Sequence, residues 1–573
     1  MIRWRAAGLL TRLPQLEVLS LMVRESRTVG DARRCVLALG LVVGCSLFAC
    51  TGSIEAPSDG QGSGAGIGGA GPGVGATGAV GSDPTDPRIA QRIWRLSPTE
   101  LNQEITRLFG EGAPAVDVPE TAAQFGITNI AQNAVIDQGN ASIFVDGARA
   151  VANWVAADGV KRGRCIKYGD AACMETLLGW LPRAAFRRPV SDAELAELRT
   201  LFGKLQASYE YDYAFAGVIR AVLLSPDFLY RTELNAVLSP YEIANLLSFS
   251  ITDQAPDAEL IDAADKQDLT KPDVREAQAR RLMAKSAKVW QRFFWEWLHM
   301  STLRSQGAEV GLSDTLVSDM DEEYRTFLRE VIVNQRGTLR DVLSAPYTWA
   351  QPELAMHYGS SPSGTGLQRI ALDPVQRGGL FTQGAWLVSH GKAGHDNVVR
   401  RGMGIYKDAM CNNNLRPPDG VDVQAELAKL VGPNPTVRQT VDARGNTSPC
   451  AGCHKRPDPM GMVFETFKSD GSWQKVYPDG MPVDSKVTVD TLGSFDNARS
   501  LSQAFADDAS FQQCFVQRFT HFIAGIDLGL TRTVAWSKAA DQSLVDSNGK
   551  LEEMVVALVR HPGFIERRTE SAP

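Results

Sequence analysis

The sequence predicts a mainly α fold, a helical body of several units with little β-structure. One helix-start pattern occurs three times: Leu96-Ser97-Pro98-Thr99-Glu100-Leu101, Val190-Ser191-Asp192-Ala193-Glu194-Leu195 and Leu238-Ser239-Pro240-Tyr241-Glu242-Ile243. In each, the serine caps the first turn and the glutamate three residues later reaches back to it, while flanking apolar residues close over the start. Helical periodicity continues through Tyr213–Leu224, Asp273–Leu298, Asp319–Val333, Leu501–Ala524 and Leu551–Val559. Strand-like alternation is scarce and confined mainly to Val483–Val489.

The chain is 573 residues long, 44% hydrophobic and 22% charged, enough for roughly three or four domain-sized units. Residues 1–50 read as an export signal. A basic stretch holding Arg24, Arg27, Arg33 and Arg34 precedes the uncharged run Cys35–Ala49, which is shorter than the roughly 20 residues a spanning helix needs. The run ends in Leu47-Phe48-Ala49-Cys50, which resembles a bacterial lipobox, with Cys50 as the acylated residue; Phe48 is bulkier than is usual there. Simple cleavage or a retained anchor are the competing readings, and the region before Met22 reads as an upstream extension.

Residues 51–92 form a linker, a tract of Gly, Ala, Ser and Pro to about Pro87 with too few large apolar side chains to offset the entropy of ordering it. It carries many of the 52 glycines, which would be out of place in a helical body. Beyond it the reading assigns helical units to 93–160, 161–235 and 236–365, a chemistry-bearing unit to 366–490 and a C-terminal helical unit to 491–573. In the first unit Leu101, Ile105, Leu108 and Phe109 share one helix face. With 59 basic and 66 acidic residues the formal charge is −7, which argues against a nucleic-acid partner.

The most specific local signal is Cys450-Ala451-Gly452-Cys453-His454, the attachment pattern of a c-type haem. Thiols three positions apart match the two vinyl groups of the porphyrin, and the adjacent imidazole lies beneath the iron. Haem c is attached outside the cytoplasm, in agreement with the export signal. A zinc site needs a second close ligand pair, and none accompanies this one. A thioredoxin-like redox pair opens a helix in a βαβ setting, whereas Pro449, Pro457 and Pro459 flank this motif; a structural disulfide is the remaining alternative.

For the sixth iron ligand the sequence offers Met481, in Asp479-Gly480-Met481-Pro482, then the nearer Met460 or Met462, or an open position. A Met/His pair favours electron transfer, and an open position favours ligand binding or peroxide chemistry. The remaining cysteines suit an oxidising compartment as two disulfides, Cys165 with Cys173 and Cys411 with Cys514, with Cys35 and Cys45 left in the signal; buried thiols are the alternative. His299 reads as a core residue. His390 and His395 share a Gly-rich segment that suits a metal or substrate. No nucleophile elbow, phosphate loop or dinucleotide fingerprint is present.

Several further segments resemble one family. They are Leu96–Asn102, Ala185-Phe186-Arg187-Arg188-Pro189, Leu224–Arg231, Pro256–Leu260, Leu354–Gly359, Arg377–Gln383, Arg401-Gly402, Cys411, Cys450–His454, Asp458-Pro459-Met460-Gly461 and Phe464–Phe467. Their order is similar to that in exported multi-domain proteins of planctomycetes and myxobacteria that join a planctomycete-type cytochrome c domain to domains of unknown function. The resemblance runs from about Ile93 to Arg568. Two departures stand out: the proline-rich run after Cys411 is reduced to Pro417-Pro418, and Pro457 replaces an apolar residue, which removes axial ligation there.

The resemblance implies a haem-binding cell-envelope protein, periplasmic or surface-exposed, with a C-terminal cytochrome-c-like domain. The combined expectation is a membrane-tethered lipoprotein that holds haem c covalently on Cys450 and Cys453 with His454 as proximal ligand. It passes electrons to a redox partner protein, while the helical half docks an envelope polymer or small-molecule substrate. A non-redox envelope scaffold and a haem-dependent oxidative enzyme are the competing classes.

Overall fold

Ser97, Ser191 and Ser239 each cap a helix through a reciprocal box with Glu100, Glu194 and Glu242, opening helices Pro98–Phe109, Asp192–Gln206 and Pro240–Thr252. A computed structural model describes residues 88–568 except 122, 124–125, 132, 267, 363, 394–396, 413–414, 416–428, 430, 432–434, 449, 491 and 526–534. The signal segment, Cys50 and most of the Gly-rich linker therefore lie outside the described residues, as does His395. The last residues assigned to the linker are strand: Ile89–Ala90 and Arg92 already belong to the body.

The fold is mainly α, with strands only in small pairs. Helices Pro98–Phe109, Ala141–Ala156, Ala171–Phe186, Asp192–Gln206 and Tyr211–Leu223 enclose one hydrophobic cluster, which takes in Leu101, Ile105, Leu108 and Phe109. A larger cluster gathers side chains from Leu238 to Ile565 together with Ile89, Trp94, Ile127, Ile130 and Ala131. Its centre is aromatic. Trp290 and Phe293, on helix Ala287–Trp297, meet Phe519 of helix Ala509–Ala524 with ring centroids 4.5 and 5.1 Å apart. A buried arginine ties down the C-terminal helix. Arg275 is buried and donates to the carbonyls of Val559 and Arg560, satisfying the C-terminus of helix Leu551–Arg560.

Two of the long helical patterns are broken. Asp273–Leu298 divides into Pro272–Met283 and Ala287–Trp297, and Leu501–Ala524 into Ala498–Phe505 and Ala509–Ala524, where Asp508 caps the second helix through the Phe511 amide. Strands Arg92–Arg95 and Tyr230–Glu233 pair antiparallel, and Ile89–Ala90 lies parallel to Arg567–Arg568. Tyr347–Ala350 pairs with Gln368–Ala371, and of the predicted Val483–Val489 strand only Val487–Val489 forms, against Gly493–Phe495. Burial would raise the Glu233 carboxyl, but Arg567 and Arg92 hold it down at about 2.

Glu323 is fully buried and accepts hydrogen bonds from the hydroxyls of Tyr358 and Thr348. Burial outweighs these bonds and pushes its carboxyl up to about 7. The folded state therefore holds this proton more tightly than the unfolded chain, so the contribution of this group is fully present in acid and is lost as pH rises from the ordinary carboxylate range through about 7. The expected loss is about 3 kcal/mol. The stability of Glu323→Gln relative to the wild type, measured by urea unfolding, should move in the variant's favour by about that amount between pH 5 and 8, a difference in which the opposing contributions of the buried neutral His390 and His521 cancel.

Candidate functional site

Three short elements build the site. Helix Val437–Asn446 begins at a capping box between Thr436 and Gln439 and turns Arg444 inward. One helical turn, Ala451–His454 with Cys450 at its cap, follows, and the Cys450 carbonyl accepts from the amides of both Cys453 and His454. Pro457, at the first position of helix Pro457–Met462, suits a residue with no amide hydrogen to donate. Asp458 is brought back beneath His454 four residues on. His454 Nδ1 lies 2.9 Å from Asp458 Oδ1, and Arg444 Nε donates to Asp458 Oδ2 at 2.9 Å. Asp458 is wholly buried, while the His454 side chain retains 19% exposure.

This geometry fits a haem ligand. An imidazole that donates from Nδ1 to a carboxylate leaves Nε2 for a metal, the usual arrangement of a ligating histidine. Cys450 and Cys453 remain thiols on the same turn, outside both disulfides. Among the described residues no three His, Cys, Asp or Glu side chains converge as a bare-ion site. A porphyrin brings its own equatorial nitrogens and asks the chain only for axial ligands.

The turn is held from behind by a close helix crossing. Helix Asn397–Met403 lies across Pro457–Met462 at two glycines: a Cβ on Gly402 would sit 2.2 Å from the Pro457 carbonyl oxygen, and one on Gly461 would sit 1.8 Å from that of Val398. Arg401 is buried beside them and donates to the carbonyls of Phe464, Phe467 and Lys468. Arg377 does the same for Thr382 and Gly471, with its guanidinium 3.9 Å above the Tyr358 ring.

Disulfides join Cys165 to Cys173 and Cys411 to Cys514, the second tying the segment after helix Asn397–Met403 to helix Ala509–Ala524. The second closes a span of 103 residues, for which chain entropy gives about 4–5 kcal/mol. The double variant Cys411→Ser/Cys514→Ser should lose stability of that order in urea unfolding, and Cys165→Ser/Cys173→Ser less, because its span is only 8 residues.

Met460 and Met462 are packed into the hydrophobic cluster. Met481 is half-exposed in a turn closed by the Val476–Pro482 bridge, with its amide on Asp479 and its carbonyl accepting from Tyr477. These hydrogen bonds stay within its own turn. His390 is buried, stacks on Trp386 and has Nδ1 3.0 Å from the Trp386 carbonyl oxygen; burial pushes it down to about 4, so it stays neutral. His299 departs from the core reading. It follows the end of helix Ala287–Trp297 in a left-handed conformation that turns its side chain outward, near Asp408 and 43% exposed.

Sequence reasoning had not given Asp458 and Arg444 a role. The i, i+4 spacing of a carboxylate from His454 was the available signal for Asp458; nothing local marks Arg444.

Fold and site together define a helical protein with one Cys-x-x-Cys-His turn and a buried carboxylate behind its histidine. Three family models match it: PSD5, protein of unknown function (DUF1595), over residues 173–233; PSD4, protein of unknown function (DUF1592), over 238–360; and PSCyt3, protein of unknown function (DUF1588), over 377–477. Together they match the family that the sequence resembles, that of the planctomycete cytochrome c-associated domains of unknown function. The segment matched by PSCyt3, cytochrome-like in name, contains Arg401, Gly402, Arg444, the Cys450–His454 turn, Asp458 and Gly461. No curated protein and no solved structure matches the chain. Among the described residues no helix is long and apolar enough to cross a membrane.

Proposed function

We propose that this chain is a cell-envelope lipoprotein that carries haem c and transfers electrons. The carrying observation is one helical turn that presents two thiols and an imidazole whose Nδ1 is already committed to Asp458. Cys450 and Cys453 would hold the haem by thioethers, each made by adding S–H across a vinyl double bond, and His454 would offer Nε2 to the iron. Haem, when bound, supplies a one-electron couple. Asp458 and Arg444 orient the imidazole, and the Gly402–Gly461 crossing fixes the turn against the body.

The reading of residues 1–50 as an export signal, with lipid on Cys50, and the two disulfides support an oxidising compartment outside the cytoplasm. The electron partner is another protein, and the helical half meets an envelope polymer or small substrate. Expression in a host with c-type maturation should give a Soret band and a reduced α band that survive acid–acetone extraction; protein that stays colourless there refutes the proposal. Met481 is the proposed sixth ligand. Met481→Ala should abolish the long-wavelength thioether-to-iron band of the oxidised protein, and an unchanged band removes Met481 from that role.

A further inference from the structure

We propose that Asp458, clamped by Arg444, is a positioning residue that sets the reduction potential of the haem through His454. The inference rests on the haem reading above and asks what this chain does to its proximal ligand. A ligating histidine donates its second N–H to a carboxylate, a backbone carbonyl or water, and the choice sets how basic the ligand is. Here the acceptor is a carboxylate, at 2.9 Å and without solvent exposure, and it lies in a neighbouring helix rather than in the attachment turn itself.

Arg444 donates from Nε to the far oxygen of that carboxylate at 2.9 Å, and a terminal nitrogen lies 2.8 Å from the same oxygen as an ion-pair contact. A guanidinium paired with that oxygen supplies the counter-charge and holds it on the side away from His454. Asp458 therefore cannot swing away from His454 without breaking a buried ion pair. A charged acceptor on Nδ1 draws the N–H toward it and builds negative charge on the ring. The imidazole becomes a stronger donor at Nε2, which stabilises the more highly charged, oxidised iron. The haem is thereby held at a lower potential than a neutral acceptor would give.

The test uses the full chain matured with haem. Asp458→Asn keeps an oxygen acceptor but removes its charge. It should favour the reduced form roughly tenfold at fixed solution potential, a rise in midpoint of about 59 mV for a one-electron couple. Because Asp458→Asn leaves Arg444 buried without its counter-charge, the double variant Arg444→Gln/Asp458→Asn, which removes both charges together, is measured beside it and should rise as well. A haem-loaded variant with the wild-type midpoint overturns the proposal. So does loss of folding in both variants, since the pair would then serve the fold alone. A wild-type protein without haem is a different failure, that of the haem reading itself.

Discussion

Alanine at both Cys450 and Cys453 is expected to abolish covalent haem, leaving no Soret absorbance in extracted, matured protein. Each single variant keeps one thioether. Its reduced α band should lie to the red of the wild type, because one vinyl group remains conjugated with the ring. His454→Ala should keep both thioethers but lose the proximal ligand, giving a coloured protein with a high-spin spectrum. The helical body should survive all of these. None of the three residues belongs to the hydrophobic clusters, and the turn is closed by backbone hydrogen bonds from the Cys450 carbonyl. Unchanged urea midpoints of the apoproteins would show that separation of chemistry from scaffold.

A large structural effect is expected at Arg401. Its guanidinium is wholly buried and serves the carbonyls of Phe464, Phe467 and Lys468, in the chain just after helix Pro457–Met462. Arg401→Met fills much of the volume but strands those acceptors out of water. The cost should be about 3 kcal/mol or more, from three stranded acceptors at roughly 1–3 kcal/mol each. Equilibrium urea unfolding measures it, and a loss below about 1 kcal/mol would mean that water reaches those carbonyls. Gly461→Ala attacks the same place by overpacking, since its new methyl meets the Val398 carbonyl; a cost of about 1–3 kcal/mol or more is expected.

Helix starts and the attachment turn were legible because each is a local code. Ser97 with Glu100 and Cys450 with Cys453 and His454 fall within five residues of sequence and need no tertiary partner to be recognised. Helix ends were less legible. Nothing like Pro or Gly breaks the chain at Ala284–Ser286, and the Asp508 cap lay inside a run whose periodicity continued across it. The strand pairs were invisible for another reason: Arg92–Arg95 finds its partner at Tyr230–Glu233, far along the chain, and neither segment alternates.

Motif pieces read only as resemblance acquire physical causes in the structure. Arg187, Arg231, Arg377 and Arg401 are all buried, although charge in a sequence reads as surface. Arg187 donates to the carbonyls of Asp227, Phe228 and Tyr230, so two of the recurring segments are one contact. Arg377 and Tyr358 link two more. Gly402 and Gly461 mark a backbone crossing, and Asp458 is the acceptor behind the histidine. Each depends on a partner distant in sequence, which periodicity and spacing cannot supply.

The most direct measurement is mass spectrometry of peptides from protein made with c-type maturation machinery. The peptide spanning Cys450 to His454 should carry the added mass of one haem, with neither of its thiols open to alkylation. Recovery of that peptide at its unmodified mass, with both cysteines alkylated, would contradict the account.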